Sequence, residues 1–221
     1  MPKDIAELFR MTLLIVGALF PIVNPFGNAP IFLILTRGFS SAARTELAWK
    51  IALNGTMLLI GSILIGTHIL AFFGISLPVV QVGGGLVVIS AGWSLLNRED
   101  DGDHPAKVDD KPADVASRAF YPLTLPLTVG PGSISVAITV GANRPEGVAS
   151  WVMVAALLIG SALVGVSIYC AYRFAERIAR LLGETAMNVL IRLSSFILVC
   201  IGVQILWNGI STLLRTIEHG K

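Results

Sequence analysis

Apolar residues dominate this chain in six long runs separated by short polar stretches. A membrane-spanning helix needs about 20 such residues, and the pattern predicts segments over 5–36, 41–73, 78–97, 118–142, 147–172 and 185–215. Two of the six are interrupted. Pro21, Pro25 and Pro30 lie inside the first, and Pro122, Pro126 and Pro131 recur at the same spacings inside the fourth. Proline lacks a backbone donor and clashes with the preceding turn, at about 3 kcal/mol in a helix interior. Each of these segments should therefore break, the short half after the first break running over 28–35. With proline at about 5% of positions, three matches at one offset arise by chance in about one percent of such scans. The breaks are read as an internal repeat.

Three spans per half has a topological consequence. An odd repeat inserts with opposite orientations, giving halves related by an axis in the membrane plane. The expected fold is an all-α polytopic membrane protein: six transmembrane segments as an inverted 3+3 repeat with broken helices 1 and 4. Residues 1–97 form the first repeat, 98–117 an acidic cytoplasmic linker, and 118–221 the second. The linker carries Glu99, Asp100, Asp101, Asp103, Asp109, Asp110 and Asp114, without the spacing or terminal Glu of a calcium loop. The third segment, with Gly83-Gly84-Gly85 and Ser90-Ala91-Gly92, has small faces that let helices approach closely and is expected to lie buried among its neighbours.

Composition agrees with a membrane setting. The chain of 221 residues is 54% hydrophobic and 14% charged, with a mean hydropathy of +0.78, far from the about 25% charged of soluble proteins. The partners implied are the lipid bilayer and a small solute. A net charge of +2 without basic clusters gives no nucleic-acid footprint. Residues 1–10 are polar and of mixed charge, so the first run reads as a retained helix. Basic residues gather after the first, third and fifth segments: Arg37, Arg44, Lys50, Arg98, Lys107, Lys111, Arg118, Arg173, Arg177 and Arg180. The other face has Lys3, Arg10, Arg144, Arg215 and Lys221, so the first face should be cytoplasmic and both termini outside.

A break inside a membrane leaves orphan carbonyls and amides that cost several kcal/mol each unless protein or a cavity meets them. Matching interruptions in two halves point to a substrate site near the midplane, half-helix N-termini facing an anionic group. The polar candidates are Asn24, Gly27 and Asn28 in the first break, and Thr128, Gly130, Gly132, Ser133 and Ser135 in the second. In the binding reading, backbone amides of Gly27, Asn28, Gly130 and Gly132 hold a carboxylate, and the side chains of Asn24, Asn28 and Thr128 take the remaining polar groups. In the structural reading, Asn24 and Thr128 cap half-helices and the glycines serve packing.

Other polar residues read as support. Asn54 and Gln204 suit interhelical hydrogen bonds, His68 an interfacial position, Arg192 a snorkelling one, and Glu46 and Lys50 an i, i+4 pair. Cys170 and Cys200 sit in apolar stretches and read as packing. No Asp or Glu lies within the apolar parts of the spans, so a coupling ion, Na+ or H+, would need another device. No catalytic set, metal spacing or cofactor motif appears, and the chain reads as no enzyme.

At Asn24-Pro25-Phe26-Gly27-Asn28-Ala29-Pro30 and Pro126-Leu127-Thr128-Val129-Gly130-Pro131-Gly132 the sequence resembles the MarC family of bacterial and archaeal inner-membrane proteins. The resemblance covers nearly the whole chain. It implies relatives of the SnatA type, transporters of small neutral amino acids such as glycine and alanine, with substrate held at the helix breaks. The matching positions here are Asn24, Gly27, Asn28, Thr128, Gly130, Gly132 and Ser133. The expected function is an inner-membrane secondary transporter or exchanger of a small zwitterion. A selective channel and a non-transporting assembly or regulatory protein are the alternatives, and a homo-oligomer is compatible with all three.

Overall fold

A computed structural model of the chain describes residues 3–36, 38–97, 118–143 and 148–219. The acidic linker, 98–117, lies outside the described residues. All regular elements among the described residues are helices: α1 (Lys3–Val23), α2 (Pro25–Leu35), α3 (Ser41–Phe72), α4 (Leu77–Leu96), α5 (Ala119–Thr128), α6 (Pro131–Ala142), α7 (Ser150–Arg173) and α8 (Ala175–His219). Five stretches are long and apolar enough to cross a membrane: Asp4–Leu35, α3, α4, α7 and Asn188–Thr216. The α5–α6 pair, bent by 69°, makes a sixth when counted as one span.

The two proline-rich segments break differently. Only Asn24 parts α1 from α2, in the left-handed region at φ 46° and ψ 57°. The short half starts at Pro25 rather than 28, because the first helical position needs no N–H and tolerates proline's fixed φ. In the second segment Pro122 and Pro126 withhold two donors, and the residues before them, Tyr121 (φ −125°, ψ 126°) and Leu125 (φ −108°, ψ 127°), are extended, so α5 is an interrupted coil rather than one regular helix. Val129 N donates to Thr124 O (2.9 Å). Hydroxyls from Thr124 and Thr128 donate to the carbonyls of Ala119 and Leu123, both at 2.6 Å.

Burial follows helical period. On α3 the buried positions Ala43, Leu47, Ala48, Ile51, Ala52, Gly55, Leu59, Ile63 and Gly66 form one stripe. The central helix is α7: half of its most apolar window is buried, against 22% for Asp4–Leu35, α3, α4 and Asn188–Thr216. It packs between α1 and α3, while α4 runs along α8. Several contacts have counterparts when residues 1–97 are exchanged with 118–221. Helices α1 and α2 pack on α7 as α5 and α6 pack on α3, and α2 meets α8 as α6 meets α4. Leu13, Met57, Ile65, Leu163, Val166 and Val203 point outward, an apolar exterior suited to lipid.

Several expectations need correction. Helix α4 is buried only along Gly84, Gly85, Val88 and Gly92; Gly83 is exposed and faces open space. The loop expected after the fifth segment shrinks to Phe174, since residues 175–182 are helical and α8 turns at Gly183 (φ 71°). Gln204 bonds Asn208 one turn along its own helix (2.9 Å), and Asn54 has no partner among the described residues. Gln81 of α4, which was not a candidate, makes an interhelical bond instead, its Nε2 donating to Thr139 Oγ1 of α6 (3.2 Å). His68 and Arg192 are exposed, Lys50 and Glu46 pair at 2.7 Å, and both cysteines are free.

Candidate helix-break site

The two breaks meet through one side chain. Asn28 lies in the first turn of α2 and is buried, and its carboxamide donates to Val23 O (2.9 Å) and to Leu127 O (3.1 Å), 99 residues away. Both carbonyls are orphans for a stated reason. The helical partner of Leu127 O would be the N–H of residue 131, which is proline. The partner of Val23 O would be the N–H of Gly27, but that amide donates to Asn24 Oδ1 (3.3 Å). The primary amide has two hydrogens, one for each break. Its Oδ1 has no partner among the described residues.

Thr128 closes a second link. Its one hydrogen goes to Leu123 O, so at the 2.8 Å contact with Tyr172 the phenol must donate to Thr128 Oγ1. The Tyr172 ring stacks on Phe32 of α2 at 4.5 Å with 6° between planes. Tyr172 on α7 thus touches both breaks. Removing only its hydroxyl, Tyr172→Phe, should lower stability by about 1 kcal/mol and keep the stack. Thr128→Val should cost about 3 kcal/mol, because it orphans the Leu123 carbonyl and the phenol together. Unfolding of purified protein in detergent micelles measures both.

The remaining candidates divide. The amide of Asn28 is engaged by Asn24 O (3.0 Å) and that of Gly27 by Asn24 Oδ1, so the first break keeps these donors inside the chain. At Gly27 a Cβ would strike Asn24 and sit 2.6 Å from Ser194 Cβ of α8. At Gly132 a Cβ would strike Val88 of α4. These two glycines let α2 and α6 seat against α8 and α4. The α6 N-terminus is different: Gly130 is its cap residue, Pro131 follows, and no side chain caps it. Ser133 is 3% exposed with no hydrogen-bond partner for its hydroxyl among the described residues. Ser135 belongs to packing, donating to Val80 O at 3.2 Å.

Tyr172 and Phe32 were not candidates from sequence. Aromatic residues at helix positions carry no local signal of a partner so distant in the chain.

The helices and their apolar exterior define an α-helical integral membrane protein in which Asn28 of α2 is hydrogen-bonded to Leu127 O of α5. This chain belongs to the MarC family of integral membrane proteins, which it matches over residues 9–214. It is 31% identical over 219 residues to the "UPF0056 inner membrane protein MarC" of Escherichia coli O1:K1, covering 95% of this chain and 98% of that relative. The "UPF0056 membrane protein YvbG" of Bacillus subtilis strain 168 is 30% identical over 195 residues, covering 87% and 90% respectively. No solved structure matches the chain.

Proposed function

We propose that the protein is a secondary carrier of a small neutral amino acid, bound where the two helix breaks adjoin. The observation that carries this reading is the Asn28 carboxamide, which spans freed carbonyls of both breaks and leaves its oxygen without a donor among the described residues. A small zwitterion fits the groups that remain. Its carboxylate suits the uncapped α6 N-terminus at Gly132 and Ser133, where backbone donors and the helix dipole favour negative charge. Its ammonium suits Asn28 Oδ1. Asn24 and Thr128 shape this region as a cap residue and a donor to a backbone carbonyl, and Gly130 is the cap residue of α6.

The exchange of packing partners between halves supports an inverted repeat whose rocking alternates access to the breaks. The name of the E. coli relative places that protein in the inner membrane; we assign this chain to the same membrane, multi-pass. Reconstituted protein should drive labelled alanine into liposomes preloaded with unlabelled alanine and show no single-channel conductance in planar bilayers. Conductance without counterflow would instead assign a pore.

A further inference from the structure

At one end of the bundle, α3 begins, α7 ends and α8 begins, and a small open cleft of about 20 Å³, which its side chains must part to widen for anything larger than water, is lined by Ser41, Arg44, Thr45, Tyr172, Arg173 and Glu176. Arg44 on α3 pairs through Nη1 with Glu176 on the first turn of α8, so the pair crosses between the two halves. The pairing leaves the guanidinium incomplete. Arg44 Nε is buried and has no acceptor among the described residues, although its fork geometry is suited to a bidentate carboxylate. The cleft is also placed to communicate with the breaks. Tyr172 belongs both to its lining and to the hydrogen bond with Thr128.

We propose that this cleft is a docking site for a small zwitterionic amino acid on its way to the breaks. Arg44 takes the carboxylate through Nε and a terminal nitrogen, and Glu176 takes the ammonium. A zwitterion offers both partners at once, so it replaces the direct ion pair without leaving either charge bare. Two cations, Arg44 and Arg173, against one carboxylate bias the cleft toward the carboxylate end. As the amino acid inserts, the contact tying α3 to α8 is exchanged for contacts to the solute. The inference rests on the carrier reading above for its solute class, but concerns different residues.

The test compares wild type, Arg44→Gln, Glu176→Gln and the double variant, with Arg44→Lys as a charge-preserving control. Alanine counterflow gives KM and Vmax, and equilibrium dialysis of labelled alanine in lipid-free detergent gives binding. Each single neutral variant should raise KM about tenfold, the loss of a charge-assisted contact, with Vmax within about twofold. The double variant should be no worse than about either single, because the two side chains act as one unit. Arg44→Lys should recover part of the KM. Changed Vmax at unchanged KM and unchanged alanine binding would overturn the proposal, leaving the pair as a structural tie. If wild type shows no counterflow, the carrier reading fails and dialysis decides: alanine binding lost in Arg44→Gln sustains the site, and no binding overturns it. Displacement of the pair by phosphatidylethanolamine alone, without alanine binding, would assign the cleft to a lipid headgroup and overturn it equally.

Discussion

Asn28→Leu is expected to lower the stability of the protein by about 2–4 kcal/mol and to abolish alanine counterflow. The side chain is nearly isosteric, so the effect comes from hydrogen bonding. Leucine would leave Val23 O and Leu127 O without donors, and an orphaned buried carbonyl costs about 1–3 kcal/mol. Neither carbonyl can turn to its helical partner, since one partner is Pro131 and the other amide is held by Asn24. The variant also cuts the direct hydrogen bond between the two breaks. Asn97→Leu is the matched control: its amide donates to Trp93 O on an exposed turn, and its loss should fall within about 0.5 kcal/mol. Unfolding in detergent micelles reads both. Equal effects at the two positions would remove the special role given to Asn28.

The second large effect is expected at a neighbouring pair of glycines that look equivalent in the sequence. Gly85→Ala should destabilise by about 2–3 kcal/mol, as overpacking of a rigid contact does. A Cβ there would lie 2.6 Å from Leu206 N and 2.8 Å from Gly202 O. Those are backbone atoms, so relief requires α4 and α8 to separate along their shared face. Gly83→Ala meets nothing within 4 Å, and alanine's better helix propensity should add up to about 1 kcal/mol. The two melting curves, measured side by side, should move in opposite directions. A parallel shift would show that α4 does not present Gly85 to α8.

How far the sequence could be read varies with the range of the interaction. The prolines marked where the backbone departs from regular helix, at Asn24 and at Tyr121 and Leu125, since a missing N–H is a local property, but Asp4–Leu35 still runs as one span. The small residues of α4 announced close packing, but not which face: only Gly84, Gly85, Val88 and Gly92 turn inward. Pairings across the fold were not legible. Asn28 was a candidate as a polar residue in a break, yet its bond to Leu127 O joins positions 99 apart, which no spacing encodes. Asn54 and Gln204 have the composition of interhelical donors, but the bond forms between Gln81 and Thr139, where α4 and α6 come together. Residues 175–182 carry enough charge to pass for a loop, although their helix places Glu176 against Arg44. Tyr172 gave no signal at all. Its role depends on Thr128 having already spent its hydrogen on Leu123 O.

The most direct measurement of the central claim is counterflow of labelled alanine by reconstituted protein, comparing wild type with Gly83→Ala and with an Asn28→Leu fraction that elutes as a single species. Wild type and Gly83→Ala should accumulate label against preloaded unlabelled alanine, and Asn28→Leu should remain at the level of empty liposomes. Full accumulation by the Asn28→Leu protein would contradict the placement of substrate at the joined breaks, and no accumulation by wild type across glycine, alanine and serine would contradict the carrier itself.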